Sequence, residues 1–277
     1  MKPALPMPNG MQMTKTDLNI QLPEGKKLYF VSDAHLGFPN ETESRKREKL
    51  LVEWLETIEK NAAHVFLLGD MFDFWFDYKH AAPRNHIRLL GKLADMTDNG
   101  IQIHYFFGNH DMWLNDYFKK ELGIKLHPDD LKISVNHTLY IYMAHGDGLG
   151  PGDPMYKFLK KIFRNPVAKF LYKWIHPDIG IPLARWFSKT SRNSSSGSTT
   201  DFLGEDKEHL IIHSKEIAQK YGAFDYYIYG HRHHMVTYPI PGYGIYINTG
   251  DWLNHFSYAV CDGKNITLKQ FKGRSKP

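Results

Sequence analysis

Apolar positions follow two periods along this chain. Short β-favouring runs at Leu28–Val31, Val65–Leu68, Ile101–Phe107, Leu131–Ser134, Leu139–Ala144 and Tyr226–Tyr229 have the length of strands. Between them apolar residues recur at helical spacing. Leu50, Leu51, Trp54, Leu55 and Ile58 do so within Glu43–Lys60, and a second amphipathic helix is expected over Arg84–Asn99, stopped by Asn99-Gly100. Further helices are expected over Trp113–Leu122 and Glu205–Tyr221. Strands alternating with helices imply a partly parallel sheet. Val65–Leu68, apolar on both faces, reads as its buried central strand. Met235–Phe271 reads as short strands joined by turns such as Pro241-Gly242 and Asp262-Gly263. Residues 1–26 are polar and are expected to form an extended N-terminal arm.

The pattern breaks between residues 151 and 204, dividing the chain into a core (27–150 and 205–277) and an insertion. Met155, Phe158, Leu159, Ile162 and Phe163 share one helical face, and Val167, Phe170, Leu171, Trp174 and Ile175 repeat the offsets after Pro166. Pro182 opens a third segment with Trp186 and Phe187, and the Ser-rich stretch 194–200 reads as a flexible linker.

Each of five apolar runs ends in residues that can hold a cation: Ser32-Asp-Ala-His35, Gly69-Asp70, Gly108-Asn-His-Asp111, His145-Gly-Asp147 and Gly230-His-Arg-His-His234. Open sheets bind ligands at such strand mouths. The donors collected this way are Asp33, His35, Asp70, Asn109, His145, His231 and His233. Three oxygen donors with four imidazoles suit two divalent first-row ions, Mn²⁺ first with Fe²⁺ or Zn²⁺ as alternatives, and are too nitrogen-rich for Mg²⁺ or Ca²⁺. Asp70, on the central strand, can bridge two ions about 3.5–4 Å apart. Asp-x-His and His-x-His are expected to place their side chains together through the period of two of an extended segment. Two ions so placed fit hydrolysis at phosphorus. His110 is the candidate proton donor to the leaving oxygen, through a hydrogen bond to Asp73 or Asp111. Asp73 is its candidate partner, with a helix cap or substrate contact as the other readings.

Charge sharpens the reading of the insertion. The chain carries +5 overall. Between residues 153 and 192 nine Lys/Arg face two Asp, a net of +7, so the basicity belongs to one segment. Either its apolar stripes pack on the core with the lysines as solvated faces, or it forms a basic, greasy cap over the metals. The cap could hold an acyl chain and a phosphate or rest on anionic lipid. In the cap reading Lys157, Lys161 and Arg164 contact substrate, and the aromatic loop 72–76, with Phe72 and Trp75, forms the opposite wall. The single cysteine, Cys261, excludes an internal disulfide and a thiolate zinc site, and is expected to be buried. His234 is expected at the surface. No run reaches the roughly 18 apolar residues of a membrane span, and no signal-peptide core follows the N-terminal Lys, so a cytoplasmic protein is expected.

Asp33-x-His35, Gly69-Asp70, Gly108-Asn109-His110-Asp111, His145-Gly146 and Gly230-His231-x-His233 occur in the order of the calcineurin-like metallophosphoesterase motifs, which the chain resembles over about residues 28–148 and 205–250. The resemblance implies an α+β fold, a four-layer α/β/β/α sandwich of two mixed β-sheets flanked by helices. It implies Asp33, His35, Asp70 and His233 around one metal, and Asp70, Asn109, His145 and His231 around the other. Gly69-Asp-Met-Phe-Asp-Phe-Trp75 and the helical insertion are similar to the UDP-2,3-diacylglucosamine hydrolases of lipid A biosynthesis, although those carry Arg where this chain has His110. That similarity implies an amphiphilic nucleotide-sugar lipid substrate, cleaved at its pyrophosphate to UMP and a lipid phosphate. It also implies peripheral attachment to the anionic cytosolic face of the inner membrane. Two rivals stand beside it: a phosphodiesterase or nuclease, and a non-catalytic membrane- or protein-binding module. Nucleic acid is not expected, because the aromatics of the insertion keep core-like helical spacing rather than forming a stacking platform.

Overall fold

The computed structural model describes residues 16–78, 80–152, 154–184 and 202–271. Two six-stranded mixed sheets pack face to face. One runs β12(Ile266–Gln270), β11(Ser257–Cys261), β2(Lys27–Val31), β3(Ala62–Leu67), β4(Gln102–Phe106), β5(Lys125–His127). The other runs β1(Leu18–Ile20), β6(Leu131–Val135), β7(Leu139–Ala144), β8(Tyr226–Tyr229), β10(Gly244–Thr249), β9(Met235–Ile240). β2, β3, β4 and β5 are parallel neighbours, as are β7, β8 and β10.

Strand parity assigns the layers. Val65 and Leu67 face α1(Glu41–Glu59) and α2(Ile87–Asp98) with Leu51, Trp54, Leu55 and Leu93, while Phe66 and Leu68 face the second sheet through Phe30, Phe106, Ile141 and Ile228. Beyond the second sheet lies α7(His209–Tyr221), burying Leu210 and Ile211 on Tyr227 and Tyr246. The four-layer α/β/β/α sandwich is therefore observed. α1 starts at a side-chain cap, Asn40 Oδ1 accepting from the Glu43 amide at 3.0 Å.

Several elements differ from expectation. Leu18–Ile20, placed in an extended arm, is a parallel edge strand on β6, with Ile20 buried in the layer between the sheets. Only α3(Tyr117–Lys120) of the helix expected over Trp113–Leu122 forms, because the Asp77 carboxylate accepts the Asn115 and Tyr117 amides and turns the chain. Cys261 is buried and free, as expected.

In the insertion, α4(Pro154–Arg164) and α5(Pro166–Lys173) form as the periodicity implies. A further helix, α6, is described over 177–184, beginning before Pro182. Trp186, Phe187 and the Ser-rich linker lie outside the described residues. Most of each apolar stripe does not pack on the core, with Met155 67% exposed, Phe170 58% and Trp174 78%, while Phe163 meets Trp113 edge-on. Polar groups and tyrosines carry the attachment instead. Asp147 accepts the Tyr156 hydroxyl at 2.6 Å and the Lys160 ammonium at 2.6 Å, and Trp113 Nε1 donates to Phe163 O at 2.7 Å. Tyr172 lies against Trp113, Phe74 and Phe76.

One polar feature sits inside the sandwich. His64, His104 and His127 from three adjacent strands form a chain, with His64 Nδ1 to His104 Nε2 at 3.1 Å and His104 Nδ1 to His127 Nε2 at 2.9 Å. Burial, then the charge of Lys125, pushes His64 and His127 down to about 4. Burial and its two neighbours push His104 to about 2. These folded values lie below the ordinary 6.5, so the unfolded chain binds more protons and stability falls as pH drops from 6.5 towards 4. The metal-free protein should show this acid limb in its urea midpoint, and His104→Phe should make it shallower; an unchanged slope would count against the chain as its source.

Candidate metal centre

The fold brings the five motifs to one rim. β2 leads into Asp33 and His35, β3 into Asp70, β4 into Asn109 and His110, β7 into His145, and β8 into His231 and His233. Hydrogen bonds tie the two sheets together there. His145 Nδ1 donates to Leu68 O at 2.7 Å, the His231 amide to Asp33 Oδ2 at 2.9 Å and the Trp252 amide to Asp33 O at 3.1 Å.

The side chains converge by a route other than the expected strand pleat. Asp33, His35, Asp70, His231 and His233 have φ of 55°, 40°, 54°, 67° and 54°. These left-handed conformations cost an L-residue about 1–2 kcal/mol each and persist where the surroundings over-determine them. The glycines allow close approach. A Cβ on Gly108 would collide with Asp70 Oδ1, and one on Gly230 would lie 2.6 Å from Asp33 Oδ2.

Three overlapping groups of donors result among the described residues, and one of them, His35, Asp70 and His110, shares a member with each of the other two. Asp33, His35 and His233 form one of those two, with His233 Nε2 3.4 Å from Asp33 Oδ1 and 3.3 Å from His35 Nε2. Asp70, His145 and His231 form the other, with His145 Nε2 3.4 Å from Asp70 Oδ2 and 3.3 Å from Asn109 Oδ1. Asp70 Oδ2 also lies 3.8 Å from His35 Nε2, which places it between the groups.

The donor set fits divalent cations. Asp33 and Asp70 are buried, and Asp33 Oδ1 has no hydrogen-bond partner among the described residues. Burial alone would raise the Asp70 carboxyl, but His145 and His110 beside it hold it well below the usual range. Burial alone would lower His145, yet the Asp70 charge lifts it to about 10. The buried carboxylates thus demand positive charge, which either protons on imidazole or a cation can supply. With His145 Nδ1 committed to Leu68 O, its Nε2 faces the oxygens of Asp70 and Asn109, where a bound cation would displace the Nε2 proton and take the lone pair.

The family model for calcineurin-like phosphoesterases matches residues 26–235. The chain belongs to this family. It is a metal-dependent hydrolase of phosphoester bonds. It is 37% identical over 257 residues to a protein of Porphyromonas gingivalis named UDP-2,3-diacylglucosamine hydrolase, covering 89% of this chain and 98% of that one. A protein of the same name from Haemophilus influenzae is 26% identical over 233 residues, covering 84% and 93%. A solved structure described as Yfce, a phosphoesterase from E. coli, aligns with a TM-score of 0.45 at 15% identity, covering 90% of this chain and 95% of that one.

The other expected site residues of this phosphoesterase divide. His110 lies at the centre, its Nδ1 3.2 Å from Asp73 O and 3.8 Å from Asp73 Oδ1, its ring edge-on to His35. Its partner is therefore Asp73, chiefly through the main chain, and not Asp111. The ring also falls within 4.8 Å of donor atoms of His35 and Asp70. Phe72 and Trp75 are corrected: both are 0% exposed in the core, Phe72 stacked on Tyr105 and Trp75 edge-on to Phe118, and cannot form a substrate wall. Phe74, half-buried, is the member of that loop that reaches the insertion. His234 is also corrected, being buried with Nε2 3.3 Å from the Tyr246 hydroxyl. Lys157 donates to Gly150 O, and Arg164 to Asp129 and Pro128 O, so both anchor the insertion, while Lys161 is exposed.

Sequence reasoning missed two supports, Arg47 and Asp251, and gave a third, Asp111, a different role. Asp111 is fully buried and accepts the Asp70, Phe72 and Gly108 amides and the Tyr105 hydroxyl, knitting two motif loops together. Burial and the nearby Asp70 raise its carboxyl to about 7. Arg47, from α1, holds the carbonyls of Ala34, His35 and Phe38. Asp251 stands behind His233, 3.5 Å from its Nδ1. A signal existed for Asp251, since Gly250-Asp251 closes a strand as Gly69-Asp70 does; nothing in the local sequence marks Arg47.

Asp70→Ala should lose both ions, measured as metal per chain after dialysis, because it removes the carboxylate between the groups. Gly108→Ala should do the same through the clash with Asp70. Full metal content in either variant would count against the shared position of Asp70.

Proposed function

We propose that this phosphoesterase hydrolyses the pyrophosphate of UDP-2,3-diacylglucosamine, yielding UMP and 2,3-diacylglucosamine 1-phosphate. It would use two divalent ions, Mn²⁺ by preference. The observation that carries the substrate is the 37% identity across 89% of the chain to the P. gingivalis hydrolase. The exposed apolar face of α4 and α5, attached to loops that adjoin His145 and His110, supports it, because a diacyl substrate needs an apolar surface beside the reacting phosphates.

In this reading Asp33, His35, Asp70 and His233 hold one ion, and Asp70, Asn109, His145 and His231 the other. Divalent ions bound there supply Lewis-acid neutralisation of the phosphoryl oxygens. The chain's own groups supply position and protons. His110 Nδ1 donates to Asp73 O, which leaves the other ring nitrogen to hold a proton for the leaving oxygen. The Asp73 carboxylate lies 3.8 Å from the same nitrogen, on the side away from the leaving oxygen in this reading. Lys161, exposed on α4, would meet substrate or lipid phosphate in this reading. Among the described residues no helix is long and apolar enough to cross a membrane, so contact with the cytosolic face of the inner membrane would be peripheral, through α4 to α6.

Turnover of UDP-2,3-diacylglucosamine with Mn²⁺ should release UMP. Good hydrolysis of other pyrophosphates without UMP release would remove this substrate and leave the class. His110→Ala should retain both ions and lower kcat by roughly 10²–10⁴-fold; loss of metal in that variant would make His110 a ligand instead.

A further inference from the structure

β10 ends at Thr249, and Gly250-Asp251 turns the chain back towards the metal rim. Asp251 is 1% exposed. Its two oxygens have separate partners. Oδ1 accepts the amides of Leu253, Asn254 and His255 at 2.8, 2.6 and 3.1 Å, which fixes the carboxylate in its loop. Oδ2 faces two imidazoles, His255 Nδ1 at 3.0 Å and His233 Nδ1 at 3.5 Å. The next residue, Trp252, donates its amide to Asp33 O at 3.1 Å, so the loop is registered directly on the Asp33–His35–His233 group.

We propose that Asp251 is the positioning residue of His233: its Oδ2 holds the proton on Nδ1 and so keeps the Nε2 lone pair aimed between Asp33 and His35. A ring with its proton on Nε2 would present a donor at the point where a cation is needed. The other group solves the same problem with the main chain, since His145 donates Nδ1 to Leu68 O. His233 depends on a side chain instead, and the Asp33 half of the centre can therefore be weakened separately by substitution. The proposal rests on the metal-centre reading above.

Asp251→Asn separates positioning from loop structure. The amide oxygen can still accept the three backbone amides at the Oδ1 position. Its NH₂ then replaces Oδ2 and turns a donor towards His233 Nδ1, favouring the opposite tautomer. Long-range ¹H–¹⁵N spectra of the metal-free protein at alkaline pH should show His233 protonated on Nδ1 in the wild type and on Nε2 in Asp251→Asn. Titration with Mn²⁺ alone, followed by the electron paramagnetic resonance signal of the free ion, should show two ions per wild-type chain. In Asp251→Asn one should bind about 10–100-fold more weakly, with the other unchanged. His255→Ala, which removes the second ring from the same oxygen, should keep wild-type affinity for both. An Nε2–H tautomer in the wild type overturns the proposal without any variant. So does full-affinity loading of both ions by Asp251→Asn, or a loss in His255→Ala as large as in Asp251→Asn. A wild-type chain with the Nδ1–H tautomer that takes up no Mn²⁺ overturns the metal-centre reading, and the proposal with it.

Discussion

Two carboxylates buried where two sheets meet, Asp33 and Asp70, set the terms for the rest of the centre. A buried carboxylate is tolerated only when hydrogen bonds and positive charge replace its lost hydration. Main-chain amides supply part of this, His231 to Asp33 and His110 to Asp70. Imidazoles supply the remainder: the Asp70 charge lifts His145 to about 10, and ring nitrogens of His35, His231 and His233 lie among the same carboxylate oxygens. The left-handed backbone at five of these residues follows from that demand. These turns bring the ends of β2, β3 and β8 to the rim, and the cross-sheet bonds hold them there.

The supports around the centre differ in kind. His145 is oriented by a backbone carbonyl, and the loops bearing Asp70 and Asn109 are joined by the buried Asp111. The loop after β2 is clamped by Arg47 reaching from α1. The insertion is coupled to the same rim through Asp147, two residues after His145, which accepts both Tyr156 and Lys160. Polar anchors hold α4 to the core while its apolar stripe faces outward. That inverts the usual logic of an amphipathic helix on a globular domain.

Much of this was legible in the chain. The strands and long helices announce themselves by period, and Gly69-Asp70 and Gly230-His231 mark strand mouths, because a turn leaving a sheet favours glycine and a polar residue. The seven donors could be collected from five such mouths, with no knowledge of which strands are neighbours. The same pattern stands at Gly250-Asp251, behind an alternating strand. The edge strand at Leu18–Ile20 carried too short a signal to separate it from the polar segment around it.

Sequence alone determined the donor types, the apolar stripes of α4 and α5 and the concentration of positive charge beside them, since each depends on residue identity and spacing. Tertiary structure decided direction. Phe72 and Trp75 look the same in sequence whether they line a pocket or fill a core, and packing on Tyr105 and Phe118 puts them in the core. The stripes of α4 and α5 could equally have turned inward, and the bonds of Tyr156, Lys160 and Trp113 turn them out. Which oxygen faces which imidazole depends on residues up to about two hundred positions apart, such as Asp33 and His233. Local periodicity reports which face a residue occupies and carries no information about what lies opposite.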